Sequence, residues 1–314
     1  MEYHDRLGLS RERFADLAEQ FHDDSYRGRA YRRLPDYRKA VEKGTVLIAG
    51  TVVRGFPKIP RCLVLDEGIP QHFNREIAVE EKLNGYNVRV ARIEGDVLAF
   101  TRSGIVCPFT THKVQALVDC DRFFEQHPDR MLCGEMVGPE NPYTTADCYD
   151  VDSIAFRAFD IRDRESGESL PVEDRRAACE DLGIPQVDLF GVYEPAEAVE
   201  ATPEIIDDLD SRGREGIVMK TVDGGQQLKY TTSAANQGDL AFAFSLPFDY
   251  GRDFSFRRLI REGFQSVEFA DSEVERRQRA HGVGESLLVP MADAIESVDE
   301  GERLGERHTV RAEP

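Results

Sequence analysis

Short strand-like segments dominate residues 77–231, and Gly, Pro or Asp interrupts the chain after nearly every one of them. Residues 86–90 alternate between apolar and polar side chains, and residues 97–101 follow a Gly-Asp turn, as paired strands do. Helical patterns in this region are few and do not alternate regularly with the strands, which argues against a doubly wound parallel sheet. We therefore predict an α+β fold built on antiparallel sheets.

The remaining patterns indicate a three-part organisation. Ser10 is a suitable N-cap for a helix over 10–22, and Pro171 and Gly183 frame a helix over 172–182. Further strands are predicted at 45–53, 61–66, 131–137, 154–161, 216–221 and 226–231, and further helices at 112–127, 203–212, 252–264, 271–281 and 284–298. We expect a small N-terminal α+β domain (1–75), a strand-rich central domain (76–235) and a helical C-terminal region (236–314).

The net charge of the chain indicates a salt-rich solvent and does not exclude nucleic acid as a binding partner. The chain has 59 acidic and 40 basic residues, a net charge of −19, and only seven of the basic residues are lysines. Such a balance is unusual for a nucleic-acid-binding protein, but it is typical of chains adapted to a salt-rich cytoplasm. At about 1 M salt the Debye length is about 3 Å, so net charge has little effect at long range. No apolar run approaches the ~20 residues of a membrane span, and we expect a cytoplasmic protein without membrane contact.

Two smaller features bear on binding. Residues 27–38 interleave Arg with Tyr, a pattern that suits single-stranded nucleic acid and equally suits a solvated helix face.

The six cysteines never form Cys-x-x-Cys and the seven histidines never form His-Glu-x-x-His. We therefore expect reduced, buried thiols and no metal site built from several protein ligands.

The most informative segment is Glu80-Glu81-Lys82-Leu83-Asn84-Gly85-Tyr86-Asn87. A Lys-x-x-Gly match alone is weak, because it could be a charged turn before a strand. Its weight comes from the segments that follow it in one order: Thr101-Arg102-Ser103-Gly104, Cys133-Gly134-Glu135-Met136, Phe156-Arg157-Ala158-Phe159-Asp160-Ile161, Glu215-Gly216-Ile217-Val218-Met219-Lys220 and Leu228-Lys229-Tyr230. Three of the seven lysines lie in this set. A lysine retained where Arg is the usual base is a candidate nucleophile, since only Lys readily loses its proton.

This ordered set resembles the covalent nucleotidyltransferases, which include ATP-dependent DNA and RNA ligases and GTP-using capping enzymes. The sequence is most similar to the archaeal homodimeric, RNA-circularising ATP-dependent RNA ligases, through GYNVRV (85–90), RGFPKIPR (54–61) and GRDFSFRRLIREGF (251–264). The resemblance implies an antiparallel-sheet, ATP-grasp-like nucleotidyltransferase core and a dimer formed by the C-terminal helices. It also implies a further small C-terminal domain, whereas the sequence ends at Pro314. We expect the N-terminal domain to contact RNA because of its Arg- and Tyr-rich residues 27–38.

The resemblance also implies a role for each motif residue. Lys82 would attack the α-phosphate of ATP, and Lys220, Lys229 and a divalent cation (Mg²⁺ or Mn²⁺) would favour its neutral amine and stabilise the departing pyrophosphate. Glu135 and Glu215 would contact the ribose or hold the metal ion. The other implied nucleotide-site residues are Glu81, Gly85 (room for backbone to approach the nucleotide), Asn87, Arg102 (nucleotide and RNA phosphate) and Phe159 (adenine stacking).

The residues themselves leave other interpretations open. Phe159 could be a core residue, Lys220 an exposed charge at a strand end, and Glu135 a carboxylate at a sheet edge. Asn84 replaces the Asp of many ligases, which favours RNA ligase over DNA ligase.

We therefore expect an ATP-dependent RNA ligase that joins 5′-phosphate and 3′-hydroxyl ends of single-stranded RNA through a lysyl-AMP and an adenylylated RNA. The alternatives are a DNA ligase, a capping-type guanylyltransferase and a non-catalytic RNA-binding dimer.

Overall fold

The computed structural model of the chain describes residues 2–38, 41–142, 148–245 and 252–296. The chain forms two compact units. The first contains Met1–Pro60, Arg75–Tyr193 and Val218–Leu228, and the second contains Arg61–Asn74, Glu194–Ile217 and Lys229–Pro314. The division into domains 1–75, 76–235 and 236–314 stays a prediction.

The N-terminal sheet of the first unit has the antiparallel order β1-β2-β3-β4. It follows helices α1 (Tyr3–Arg6) and α2 (Arg11–Ala18) and consists of β1 (His22–Tyr26), β2 (Arg29–Arg33), β3 (Val46–Ile48) and β4 (Thr51–Val53). Ser10 caps α2, as predicted, but the helix ends at Ala18 and not at residue 22. Residues 27–38 contain strand β2, so the helix-face interpretation is wrong. Several of their arginines pair with acids on neighbouring strands, as Arg32 does with Asp23 at 3.1 Å.

The central sheet of the first unit has the order β7-β6-β8-β9, and all its strand pairs are antiparallel. Its strands are β6 (Tyr86–Ile93), β7 (Asp96–Thr101), β8 (Arg130–Val137) and β9 (Ala155–Asp163). One face packs on α4 (Pro108–Leu117), α5 (Cys120–Gln126) and α6 (Val172–Asp181) through a core that includes Val88, Val114, Phe123, Phe156 and Cys179. The other face packs on β2–β4 through Tyr31, Val46, Ile48, Phe100 and Met131. This arrangement confirms the predicted antiparallel α+β class.

A third sheet carries the motif lysines and has the order β10-β5-β11-β12. Its strands are β5 (Ile77–Lys82), β10 (Leu189–Tyr193), β11 (Gly216–Thr221) and β12 (Gln227–Thr231). Strands β5 and β10 are antiparallel.

The second unit is largely helical. Its helices are α3 (Leu65–His72), α7 (Pro195–Ser211), α8 (Ser233–Ser245), α9 (Arg252–Glu268) and α10 (Glu273–Glu296). The buried Arg261 donates to the main-chain oxygens of Thr231 (3.0 Å) and Cys62 (2.8 Å), and the buried Glu262 accepts from Ser233 Oγ and Asn236. These bonds satisfy polar groups that would otherwise be costly to bury.

Several predicted boundaries were wrong for identifiable reasons. Residues 61–66 do not form a strand, because only Arg61 makes an isolated bridge, to Lys229, before α3 begins at Leu65. The predicted helix 112–127 is two helices, because Asp119 caps the second one.

The predicted helix 203–212 begins at Pro195, and Pro203 lies inside it. Helices 271–281 and 284–298 form one helix, α10, which continues through Gly282, and residues 297 and 298 lie outside the described part of the chain. The sequence patterns did not predict α1, β1, β2, α3 or β10.

Candidate active site

Lys82 is the last residue of strand β5, and it is half-buried. The interpretation of this segment as a charged turn before a strand is therefore wrong. Side chains alternate along a strand, so Glu80 and Lys82 lie on one face of β5 and Glu81 lies on the other. The Glu81 amide donates to the Asp188 carbonyl at 2.9 Å, and its side chain is buried.

Lys220 is buried, with 4% of its surface exposed, so it is not an exposed charge at a strand end. Its Nζ lies 2.7 Å from Glu80 Oε2 and donates to the main-chain oxygen of Phe159 at 2.8 Å. Glu80 is itself 1% exposed and also accepts from the buried Arg175 of α6. A buried carboxylate is tolerated here because two cations neutralise it.

Glu135 lies in the middle of the central sheet and not at its edge. In the register of β6, β8 and β9, Asn87 pairs with Glu135 and Glu135 pairs with Arg157, so the three side chains form a row on one face. Asn87 Oδ1 is buried and has no hydrogen-bond partner within the described ranges. Such an atom is costly unless a ligand satisfies it, which makes this row a candidate oxygen-rich binding position.

Phe159 is the extra residue of a β-bulge in β9. The register moves from Gly134↔Ala158 to Cys133↔Asp160, so Phe159 has no residue opposite it. A bulge changes the direction of a side chain. Phe159 is half-buried at the margin of a cluster that includes Leu83 and Tyr149, and its ring contacts Phe56 edge-to-face at 5.1 Å. It is thus attached to the core without being enclosed by it.

Gly85 lies in close contact with strand β8. A Cβ at residue 85 would lie 2.2 Å from the main-chain oxygen of Met136 and 3.0 Å from Glu135 Cγ. The space that a Cβ at residue 85 would need is therefore occupied by strand β8. Glycine lets the chain after Lys82 pass close to the backbone next to Glu135.

Arg102 lies in the turn after β7, where it donates to Tyr37 Oη at 2.8 Å and to the Pro57 carbonyl at 3.4 Å. The buried Arg89 supports this turn by donating to the carbonyls of Thr101 and Gly44, each at 2.9 Å. Burial lowers the pKa of Arg89 to about 10, which leaves the guanidinium charged at neutral pH.

Glu215 and Lys229 belong to the second unit and are both half-buried. Glu215 immediately precedes β11, and its main-chain oxygen accepts from the Thr232 amide at 3.0 Å. Lys229 lies in β12, where its main-chain oxygen accepts from the Cys62 amide at 2.8 Å. Burial, followed by the charge of Arg258, lowers the pKa of Arg61, while the Glu215 carboxylate acts in the opposite direction.

The first unit thus holds seven predicted site residues besides Glu81: Lys82, Gly85, Asn87, Arg102, Glu135, Phe159 and Lys220. The sequence analysis missed Glu80, Arg175 and Arg89. Strand alternation could have singled out Glu80, which lies two residues before the motif lysine and hence on its face. No local signal identifies Arg175, which is 95 residues away in the chain.

An antiparallel-sheet core with a lysine at a strand end and a second lysine on a neighbouring strand is the framework of a nucleotidyltransferase-type ligase. A family model described as RNA ligase matches residues 75–231, and one described as the ligase Pab1020 C-terminal region matches residues 242–314. The chain belongs to the RNA ligase family.

The chain is also similar to solved structures and to a curated relative. Two forms of an archaeal ATP-dependent RNA ligase superpose with a TM-score of 0.90 and 44% identity, over 95% and 96% of this chain and 82% of theirs. An Aquifex aeolicus protein provisionally described as an ATP-dependent DNA ligase has a TM-score of 0.85 and 27% identity, over 91% of this chain and 78% of its own. An uncharacterised protein of Methanocaldococcus jannaschii is 43% identical over 85% of this chain and 70% of its own length.

Two negative findings apply to the residues that the structure describes. None of their helices is long and apolar enough to cross a membrane. Nor do three or more of their His, Cys, Asp or Glu side chains converge in a way that could hold a metal ion.

Proposed function

We propose that the chain is an ATP-dependent RNA ligase whose nucleophile is Lys82. The observation that carries the proposal is the position of Lys82 on the face of β5 where Glu80 holds the Lys220 ammonium. In the first step Lys82 Nζ loses a proton and attacks the α-phosphorus of ATP, a P–N bond forms, and pyrophosphate leaves. A 5′-phosphate of RNA then takes the AMP from the lysine, and an RNA 3′-hydroxyl displaces that AMP to form the phosphodiester.

The charges near Lys82 suit the first step. A free lysine has a pKa of about 10.4 and is almost fully protonated at pH 7, so a nearby cation is needed to favour the neutral amine. Lys220, in the first unit, provides such a cation. We assign the same role to Lys229. The same ammonium groups would stabilise negative charge on the α-phosphate as the bond to pyrophosphate breaks.

The side-chain oxygens of Asn87 and Glu135, in the row that also contains Arg157, fit a ribose or a divalent cation. Carboxylate and amide oxygens are the ligands that Mg²⁺ and Mn²⁺ accept, and Mg²⁺ keeps several waters and takes few protein ligands. The unpartnered Asn87 Oδ1 beside Glu135 meets that requirement without a three-carboxylate cage. A bound cation would neutralise phosphate charge there. We assign the same metal or ribose role to Glu215.

The remaining residues bind the nucleotide and the RNA in this proposal. Phe159 has a ring only partly covered by Phe56 and could stack on adenine. Arg102 could exchange its bond to the Tyr37 hydroxyl for one to a phosphate, which is a stronger charge-assisted bond. Glu81 and Gly85 shape the backbone on either side of Lys82.

The partner in this proposal is single-stranded RNA with a 5′-phosphate and a 3′-hydroxyl, and the protein acts as a homodimer. Exposed apolar side chains lie along α9, among them Phe256 and Val267, of which 59% and 71% are exposed. A second copy of the chain would cover them. Light scattering on the wild type and on Phe256→Glu tests this, with a monomeric wild type as the contrary result.

We also place the protein in a salt-rich cytoplasm, because of its −19 charge and its seven lysines. Ligation should persist at molar KCl. Loss of ligation on going from about 0.2 to 2 M KCl would contradict this part of the proposal.

The function is tested by following the AMP. The protein is incubated with α-labelled ATP and Mg²⁺, freed of nucleotide, and then given a 5′-phosphorylated RNA. Label should move from protein to RNA and then be released as the ends join. Preferential labelling by GTP would favour a guanylyltransferase, sealing of nicked duplex DNA but not of RNA would favour a DNA ligase, and RNA binding without any AMP transfer would favour a non-catalytic RNA-binding protein.

A further inference from the structure

Glu80, which is not one of the motif residues, lies at the centre of a buried charge cluster. Its carboxylate contacts Arg175 from α6 and Lys220 from β11, and Arg176 Nη1 lies 3.8 Å away. Glu80 and Arg175 are each 1% exposed, so both are taken fully out of water. A buried ion pair seldom gives a net gain in stability over apolar residues of similar size. The presence of the buried Glu80–Arg175 pair on the strand of the proposed nucleophile therefore indicates a functional role.

The cluster connects Lys220 and the backbone at Phe159 to β5, the strand that carries Lys82. Lys220 donates to the Phe159 carbonyl at 2.8 Å, and Arg175 donates to the neighbouring Ala158 carbonyl at 3.4 Å. Both bonds end at the bulge of β9 that directs the Phe159 ring. Glu80 thus fixes the ammonium of Lys220 and, through two cations, the backbone that carries Phe159.

The alternation of β5 relates this cluster to the nucleophile. Residues i and i+2 of a strand point to the same face and are about 7 Å apart. Lys82 therefore projects from the same face as Glu80, beside the place where Lys220 is held. The Glu80 carboxylate therefore holds the Lys220 ammonium on the face of β5 that carries Lys82.

We infer that Glu80 is a positioning residue for lysyl-AMP formation: oriented by Arg175, it holds the Lys220 ammonium on the face of β5 from which Lys82 attacks ATP. This inference deepens the proposed function and rests on it. When the α-phosphate arrives, Lys220 can contact it without a large movement because its side chain is already extended and fixed. Preorganised charge of this kind is more effective than charge that must reorient during the reaction.

The charge of Glu80 has a second effect. Its carboxylate places a negative charge on the face of β5 from which Lys82 attacks ATP. The charged and titratable groups that face Glu80 are Arg175, Arg176 and Cys179 from α6 and Lys220 from β11. All but the thiol are cations, so removing Glu80 leaves a more positive environment. Neutralising Glu80 should therefore move the acidic limb of the pH–rate profile for lysyl-AMP formation to lower pH.

The experiment measures lysyl-AMP formation from α-labelled ATP against pH for the full-length wild type, Glu80→Gln, Glu80→Asp and Glu165→Gln. Glu80→Gln should lower the maximal rate about 100-fold, since Lys220 is no longer held in place. Its acidic limb should move to lower pH, because the face of β5 loses a negative charge. Glu80→Asp keeps the charge but shortens the reach, so it should lower the rate without moving the limb.

Glu165→Gln is the matched control. Glu165 is a partly buried carboxylate of the same unit that pairs with Arg6 and accepts from Thr51 Oγ1 at 2.7 Å. Its replacement should leave both rate and profile at wild-type values. A Glu80→Gln protein that is labelled at the wild-type rate, or that is slower with an unmoved limb, overturns the inference and leaves the proposed function intact. If Glu80→Gln does not fold, a wild-type rate for Glu80→Asp overturns it. Absence of label on the wild type overturns the proposed function itself.

Discussion

Replacing Gly85 by alanine separates two explanations of the glycine in the lysine motif. A Cβ at this residue would lie 2.2 Å from the Met136 carbonyl oxygen, far inside van der Waals contact, and the obstacle is backbone that cannot rotate away. Forcing an extra methyl group into a packed site typically costs about 1–3 kcal/mol. For a cooperative unit of about 150–250 residues, a loss of about 2 kcal/mol lowers the melting temperature by about 4–8 °C.

The assay is thermal unfolding of Gly85→Ala with and without ATP, together with the rate of lysyl-AMP formation. The matched control is Gly238→Ala in α8, where a Cβ would meet nothing within 4 Å and alanine should stabilise the helix by up to about 1 kcal/mol. We expect Gly85→Ala to lower the melting temperature in the absence of ATP. A wild-type melting temperature combined with lost ATP binding would refute this reasoning, because it would show that the glycine leaves room for the nucleotide.

Three further outcomes are expected. Phe159→Leu should keep the fold but weaken ATP binding by about 1–3 kcal/mol, because the side chain can no longer stack; an unchanged KM for ATP would contradict this. Cys148 should react first with a thiol reagent at pH 8, because it is the least buried of the six cysteines and burial raises the pKa of Cys133 to about 12; faster modification of Cys133 in a mass map would be the contrary result. Glu268→Gln should raise the melting temperature more at pH 8 than at pH 5. Burial raises the pKa of Glu268, so the cost of its ionised form appears as pH rises through that value, and an equal difference at both pH values would argue against this.

The strand pattern and the ordered motifs were sufficient to predict the antiparallel α+β class and the family. Both depend on signals that can be read from the sequence alone: apolar alternation, turn residues and the order of short motifs such as those that contain Lys82 and Lys220. Elements determined by non-local contacts were missed. Residues 61–66 have a strand-like composition, yet a single bridge from Arg61 to Lys229 is followed at once by α3.

The candidate site shows the same limit. The sequence indicated that Lys220 was important, but it could not show that Glu80 and the Phe159 carbonyl hold it, because those partners come from other strands. Nor could it show the bulge at Phe159, since a bulge is defined by the partner strand. Nor could it show what Gly85 packs against, because the backbone that it admits belongs to β8, about 50 residues further along the chain.

The central claim is that Lys82 carries AMP, and intact-protein mass spectrometry followed by peptide mapping tests it most directly. After incubation with ATP and Mg²⁺ the wild type should gain the mass of one AMP, and the modified peptide should place it on Lys82. Lys82→Arg, which keeps the charge but cannot act as the nucleophile at neutral pH, should gain nothing. An adduct on another residue, or an equal adduct on Lys82→Arg, would contradict the account.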